Sequence, residues 1–258
     1  MRQWLILCRK EWLELVRSYK LIWVPLVFVL LGVSQPVSLY FLPELLAAAG
    51  NMPEEAIINI PVPQGGEVLA QTLQQFGIIG SLIIALAFMG AISGERNSGT
   101  AALILAKPVS RSAFVLAKWS MMLLLVWLSL GLGFLGSWYY TEALIGSVAA
   151  ASALKGLLVY GVWLSLVGTL AVAASSWWRS GAAAAFTALG VAGLLSLASS
   201  FFSKALAWSP GRLPSIAAEI IMEISGGVES AAALGSCGAF SALLLASAVW
   251  RLRKTEFE

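Results

Sequence analysis

The sequence predicts an all-α membrane protein in which an amphipathic interfacial helix precedes six transmembrane helices. Three observations carry this. Of 258 residues, 59% are hydrophobic and only 11% charged, and the mean hydropathy is +0.87. A soluble domain is nearer half apolar and about a quarter charged, so lipid must be the solvent for much of this chain. Apolar stretches of about 20 residues, enough to cross a bilayer, recur six times. The basic residues also sort by side. Arg2, Arg9, Lys10, Arg17, Lys20, Arg96, Lys107, Arg111, Lys118, Arg179, Arg251, Arg253 and Lys254 share one side, and Lys155, Lys204 and Arg212 the other, 13 against 3 of the 16.

Residues 1–20 read as the interfacial helix. Trp4, Leu5, Cys8, Trp12, Leu15, Val16 and Tyr19 recur at three- and four-residue spacing, opposite Arg2, Arg9, Lys10 and Arg17. A tryptophan-lined apolar face opposite basic residues suits the headgroup boundary. Charges throughout this stretch, with no clean apolar run or small-residue cleavage site, argue against a secretory signal. Span one covers 21–42, with Pro25 and Pro36 tolerated where packing neighbours satisfy the freed backbone groups. The loop 43–70 is rich in proline and glycine and carries Glu44, Glu54, Glu55 and Glu67 without one basic residue. It reads as a solvated connection, or as a face for an extracytoplasmic partner or a cationic cargo.

Span two covers 71–93, and a polar stretch leads to span three, 113–140, which ends in Trp138, Tyr139 and Tyr140, an aromatic belt at the interface. Span four covers 153–176, and Trp177, Trp178 and Arg179 make a tight turn into span five, 181–202. Small residues allow close helix approach: Gly131, Gly133 and Gly136 in span three, and Ala182 to Ala185, Gly190, Ala192 and Gly193 in span five. A longer polar loop follows, in which Ile216 to Ile224 can form a short helix lying on the outer surface. Span six covers 231–250, and residues 251–258 form a tail with Arg251, Arg253 and Lys254. The positive-inside rule places the larger basic set in the cytoplasm, and six spans return the C-terminus to the side of the N-terminus. Such a chain suits a bacterial plasma membrane.

Composition also excludes chemistry. The chain has no histidine and no aspartate, and its spans carry almost no ionisable side chain. Ion-coupled transporters usually keep a buried carboxylate or histidine at mid-membrane, so their class is disfavoured. An intramembrane hydrolase is disfavoured too, because neither paired carboxylates nor a Ser/His arrangement exists; no catalytic residue and no metal site is expected. Cys8 and Cys237 lie far apart in apolar surroundings, which argues against a disulfide framework. No lysine- and arginine-rich face for nucleic acid is present. The phosphate-binding pattern G-x-x-x-x-G-K-[ST] is absent, so energy for uphill movement must come from another polypeptide.

One loop stands out. After span two come Glu95, Arg96, Gly99-Thr100, an apolar patch Leu103 to Leu105, then Pro108-Val109-Ser110-Arg111 and Lys118. Pro108 can end the apolar piece, and Ser110 can cap the helix into span three. By charge alone this is an ordinary cytoplasmic turn. The order of its residues, however, resembles that of the permease subunits of type-two ABC transporters, and the N-terminal segment, with Lys10-Glu11, Trp4, Trp12 and Arg17-Ser18, looks like their interfacial elbow helix. The resemblance covers the whole chain in topology.

It implies the membrane half of a transporter built from two such subunits, identical or related, each docked on a separate ABC-type ATP-binding subunit. ATP and magnesium would bind that partner, and this chain would bind no cofactor. The loop from Glu95 to Arg111 would be the coupling element, with the elbow packed beside it and the pathway lined mainly by spans two and five. Their apolar character fits export of a lipid-like, peptide or otherwise amphiphilic cargo. Glu95 would pair with a basic residue of the elbow or of the partner, and its loss would uncouple ATP hydrolysis from transport. The competing reading is a non-transporting membrane scaffold, or an immunity or sensing protein for amphiphilic peptides, which would stimulate no ATPase.

Overall fold

The computed structural model describes residues 2–48, 63–106, 109–224 and 230–254. Among them the chain is helical and contains no strand. The N-terminal helix α1, Arg2–Arg17, buries Leu7, Cys8, Glu11 and Leu15, which recur on one side at helical spacing. The expected apolar stripe is therefore split: Cys8 and Leu15 face protein, while Trp4, Leu5, Trp12, Val16 and Tyr19 stay exposed. At Tyr19 the chain turns into the first span with φ of 56°. Left-handed backbone is costly for an aromatic residue. Hydrogen bonds on both sides hold it, from the Tyr19 N–H to the Val16 carbonyl and from the Ile22 and Trp23 N–H groups to the Tyr19 carbonyl.

Six helical segments are long and apolar enough to cross a membrane. The first is α2, Lys20–Ala48, which runs through Pro25, Pro36 and Pro43 without ending. The second crossing is segmented into α3, Gly65–Gln75, a single π-helical turn, Phe76–Gly80, and α4, Ser81–Phe88. After a turn come two short helices, α5, Ser93–Asn97, and α6, Thr100–Leu105. The remaining crossings are α7, Arg111–Leu144, α8, Ala150–Trp177, α9, Gly181–Phe201, and α11, Ser230–Lys254. Before the last lie a 3₁₀ turn, Pro210–Arg212, and the short helix α10, Leu213–Ile221.

The fourth crossing is the hub. Of its apolar window 72% is buried, against 28%, 22% and 17% for the first, fifth and sixth, and it packs on α4, α7, α9, α10 and α11. Gly168, Ala171, Ala173, Ala174, Ser175 and Ser176 keep its second half slender and let neighbours approach closely.

The structure moves three expected features. The second crossing begins at Gly65, not 71. The Gln64 N–H donates to the Glu67 carboxylate at 3.3 Å, and a Cβ at Gly65 would lie 2.8 Å from the Gly146 carbonyl oxygen. The glycine pair that reads as a loop is thus a helix start pressed against another backbone. The short helix before the last span comes earlier than 216–224 and is not superficial. Its Leu213, Ile216, Ala217, Ala218 and Ile221 are buried, and Ile221 packs against Gly156 of the hub. In the fifth crossing Ala184, Ala185 and Ala192 are buried, but Gly190 and Gly193 have no neighbour that a Cβ would meet.

Close packing of the first and third crossings rests on glycine. A Cβ at Gly133 would lie 2.6 Å from the Phe28 carbonyl oxygen, and one at Gly32 would overlap the Gly133 carbonyl. Polar pairs beside this contact include Thr72 with Ser137 at 2.7 Å and Gln35 donating to Gln71 at 3.0 Å. Gly131, by contrast, faces open space. Gly32→Ala is expected to destabilise the purified protein by roughly 1–3 kcal/mol through overpacking, and Gly131→Ala to leave it unchanged, as read from unfolding in detergent.

Candidate functional site

The loop between the second and third crossings is fastened to the end of the hub. The ladder of α4 breaks between Phe88 and Ser93, which frees backbone donors. Ser175 of α8 takes two of them: its Oγ accepts from the Ile92 and Ser93 N–H groups, both at 2.9 Å, and donates to Ser93 Oγ at 3.2 Å. Arg96 then donates to the Ser176 carbonyl, and Asn97 to the Arg179 carbonyl, each at 3.0 Å. The last carbonyls of a helix have no partner within it. Loop side chains therefore supply what the end of α8 lacks.

Gly99 follows with φ of 74° and ψ of −5°. A Cβ there would meet nothing, so glycine serves the left-handed turn, not space. The turn starts α6, in which Ala101 is buried and Leu103 is 73% exposed. Thr100 pairs with Ser98 at 2.9 Å. Pro108 lies outside the described residues. Ser110 accepts from the Ala113 N–H at 3.2 Å and so caps α7. Arg111 donates to the Arg253 carbonyl at 2.6 Å, which ties the start of the third crossing to the end of the sixth.

The charged centre lies where α1, α5 and α7 meet. Lys118 is the eighth residue of α7 and only 2% exposed. An ammonium group there must be paired. It donates to Glu95 at 2.7 Å and to Glu11 at 2.9 Å, and it sits 5.0 Å from the centre of the Phe114 ring. Lys10 donates to the same Glu95 oxygen, and to Glu11 and Glu14 at 2.9 Å each. Glu95 and Glu11 are themselves each 8% exposed. The second oxygen of Glu95 is buried without a hydrogen-bond partner. Carboxylate oxygens of Glu11, Glu14 and Glu95 lie within 4.8 Å of one another, a spacing that suits a cation. Lysine ammonium groups already bind these oxygens, Lys10 reaching all three carboxylates and Lys118 two of them. Lys20 adds a third ammonium beside the cluster and donates to the Ala87 carbonyl at 2.7 Å.

The structure thus brings Lys10 and Glu11 together with Glu95 and Lys118. Arg96 and Arg111 are close in sequence but bond elsewhere, to carbonyls. Trp4, Trp12, Arg17 and Leu103 are exposed and take no part. Glu14, Lys20 and Ser175 were not anticipated. The spacing of Lys10 and Glu14, four residues apart on one helix, is a signal for the first. Nothing in the sequence marks Ser175.

Burial opposes the charge of Lys10, but Glu11 and Glu95 outweigh it and hold the group above the ordinary lysine value. Burial likewise opposes the charge of Glu14, and the hydrogen bond from Lys10 and the nearby Lys118 outweigh it and hold the carboxyl below the ordinary glutamate value. The lysine's contribution is full below the ordinary lysine range and is lost as pH rises through its raised value. The glutamate's contribution is present above the ordinary glutamate range and lost as pH falls through its lowered value. A nitroxide at exposed position 13 is therefore expected to keep constant mobility from about pH 6 to 9 and to loosen only below about pH 4.

The profile of the ABC-2 family transporter protein matches residues 5–209, from α1 through all but the last crossing. The chain is 32% identical over 260 residues to the uncharacterized transmembrane protein YxlG of Bacillus subtilis (strain 168), across 99% of this chain and 99% of that protein. Six apolar helices, a match over well over half of the chain and a relative of equal extent agree: this multi-pass membrane protein belongs to the ABC-2 transporter family.

Proposed function

We propose that this chain is the membrane-spanning permease subunit of an ATP-driven ABC transporter, docked on a separate ABC-type ATP-binding subunit that holds ATP and magnesium. The observation that carries the reading is the charged centre: Glu95, Lys118, Lys10 and Glu11 lock the N-terminal helix, the loop and the third crossing into one body. A push on α6 reaches α8 through Arg96 and Asn97, α7 and α1 through Glu95, and α11 through Arg111. Packed elements of this kind move as rigid bodies instead of deforming. The exposed Leu103, at the tip of that body, is the apolar anchor a docking groove would cover.

The rest of the reading follows from the same end of the bundle. Arg96, Arg111, Arg179 and Arg253 gather there, so the positive-inside rule makes it cytoplasmic, with both termini on that side of a bacterial plasma membrane. The N-terminal helix lies at that interface with Trp4, Trp12 and Val16 toward lipid. The thinly covered fifth and sixth crossings leave room for a second copy or a related permease. Export of a lipid-like, peptide or other amphiphilic cargo fits crossings with so few charges. The chain itself acts as a transport subunit, without catalysis.

The buried pairing changes how coupling should be tested. Glu95→Ala would leave Lys118 in the protein interior with Glu11 as its remaining partner, so loss of fold and loss of coupling would be confounded. Leu103→Asp touches no buried group. Wild-type protein extracted in mild detergent is expected to bring an ATP-binding subunit with it, and Leu103→Asp to lose at least about ten-fold of it at equal membrane yield. Full retention removes Leu103 from the dock. Absence of any ATPase from the wild type would favour the scaffold or immunity reading.

A further inference from the structure

A cavity of about 550 Å³ opens between the second crossing, α8, α9 and α10. That is within the roughly 300–1,000 Å³ of small-molecule sites. Leu73, Trp163 and Leu197 give it apolar walls, and Ser81, Tyr160 and Ser196 bring hydroxyl groups to it. No ionisable carboxylate or basic side chain lines it.

Tyr160 points to a ligand. The residue is fully buried, and its hydroxyl has no hydrogen-bond partner. It is the eleventh residue of α8, about 15 Å along the helix and so near the middle of a hydrocarbon core about 30 Å thick. Water is scarce at that depth, and an unpaired hydroxyl is unfavourable there. Gly77 lies beside it: a Cβ at Gly77 would be 3.5 Å from the Tyr160 oxygen, and both residues line the cavity.

The wall at this point is the π-helical turn Phe76–Gly80, the one place where the second crossing departs from α geometry before its end. Such turns within helices recur at functional sites. Across the space, Gly193 faces no neighbour that a Cβ would meet. At the rim, Ile78 and Leu197 are 78% and 58% exposed, so the opening is lateral, toward the side of the bundle.

We propose that this cavity binds one neutral, single-chain amphiphile taken from the bilayer. Its chain lies on Leu73, Trp163 and Leu197, and an acceptor oxygen, such as an ester carbonyl, receives the Tyr160 hydroxyl. The absence of lining charges sets the class. A carboxylate or phosphate headgroup would be desolvated with no counter-charge, whereas a carbonyl needs one donor and finds it. The proposal rests on the reading of crossings two and five as the lining of an amphiphile pathway, whereas occupation of the cavity, lined here by residues of one chain, needs no ATPase.

The test uses the purified full chain in nanodiscs and a monoacylglycerol with a diazirine in its acyl chain, with labelled peptides mapped by mass spectrometry. Labelling is expected to saturate on peptides containing residues 73–81 or 189–197. Unlabelled monoacylglycerol should displace it at least ten-fold better than the matching fatty acid at pH 8. Gly77→Leu, which fills the floor, should cut labelling at least ten-fold. Tyr160→Phe should weaken binding about three- to ten-fold, the effect of one hydrogen bond, without lowering thermal stability, since that hydroxyl has no protein partner to lose. Labelling that does not saturate, that survives both substitutions, or that the fatty acid displaces equally well would overturn the proposal.

Discussion

Lys118 is buried eight residues into the third crossing, and its ammonium group has to be compensated where it lies. No partner on its own helix can do this. The carboxylates come from Glu95, just past the second crossing, and from Glu11 on the N-terminal helix. One apolar-embedded cation therefore dictates where two separate pieces of chain must sit. Lys10 then balances the surplus negative charge and draws in Glu14. Removing any one member leaves the others desolvated and unmatched, which is why such networks fix position more than they add stability.

Hydrogen bonds to backbone groups extend this fixed point to the rest of the bundle. Ser175, Arg96 and Asn97 join the loop to the end of the hub helix, and Arg111 joins it to the last crossing. Toward the other end different means prevail. Glycine contacts seat the first crossing on the third and α10 on the fourth. The end held by charge is joined across several elements, while the cavity lies along α8 between it and α10. In the proposed function, a force taken at the charged end would alter that apolar space further in.

The number of crossings is legible because bilayer thickness sets the length of every apolar helix. The Ser110 cap was legible for a local reason, since its hydroxyl answers backbone donors within one turn. Longer-range features were not. Gly65 and Gly66 read as a break until the opposing Gly146 carbonyl is seen. The stripe from Trp4 to Tyr19 is apolar on the page, but lipid and protein divide it between two faces. The pairing of Glu95 is half legible: the sequence points to a basic residue of the N-terminal helix or of a partner subunit, and Lys10 is there, whereas Lys118 stands out only as one more charge of the coupling stretch. A lone lysine in an apolar helix is the signal that would have corrected this. Neither the π-helical turn nor the stranded Tyr160 hydroxyl leaves any trace in residue spacing.

Whether the charged centre acts as one unit is measured directly by a double-mutant cycle. Unfolding of the purified protein would be compared for the wild type, Lys118→Met, Glu95→Gln and the pair. Each single change strands a buried partner, while the pair removes both. The double variant is expected to be more stable than the sum of the singles by about 1–3 kcal/mol. Strictly additive effects would mean that Lys118 and Glu95 are neighbours without coupling, and the joined body of N-terminal helix, loop and third crossing would not stand.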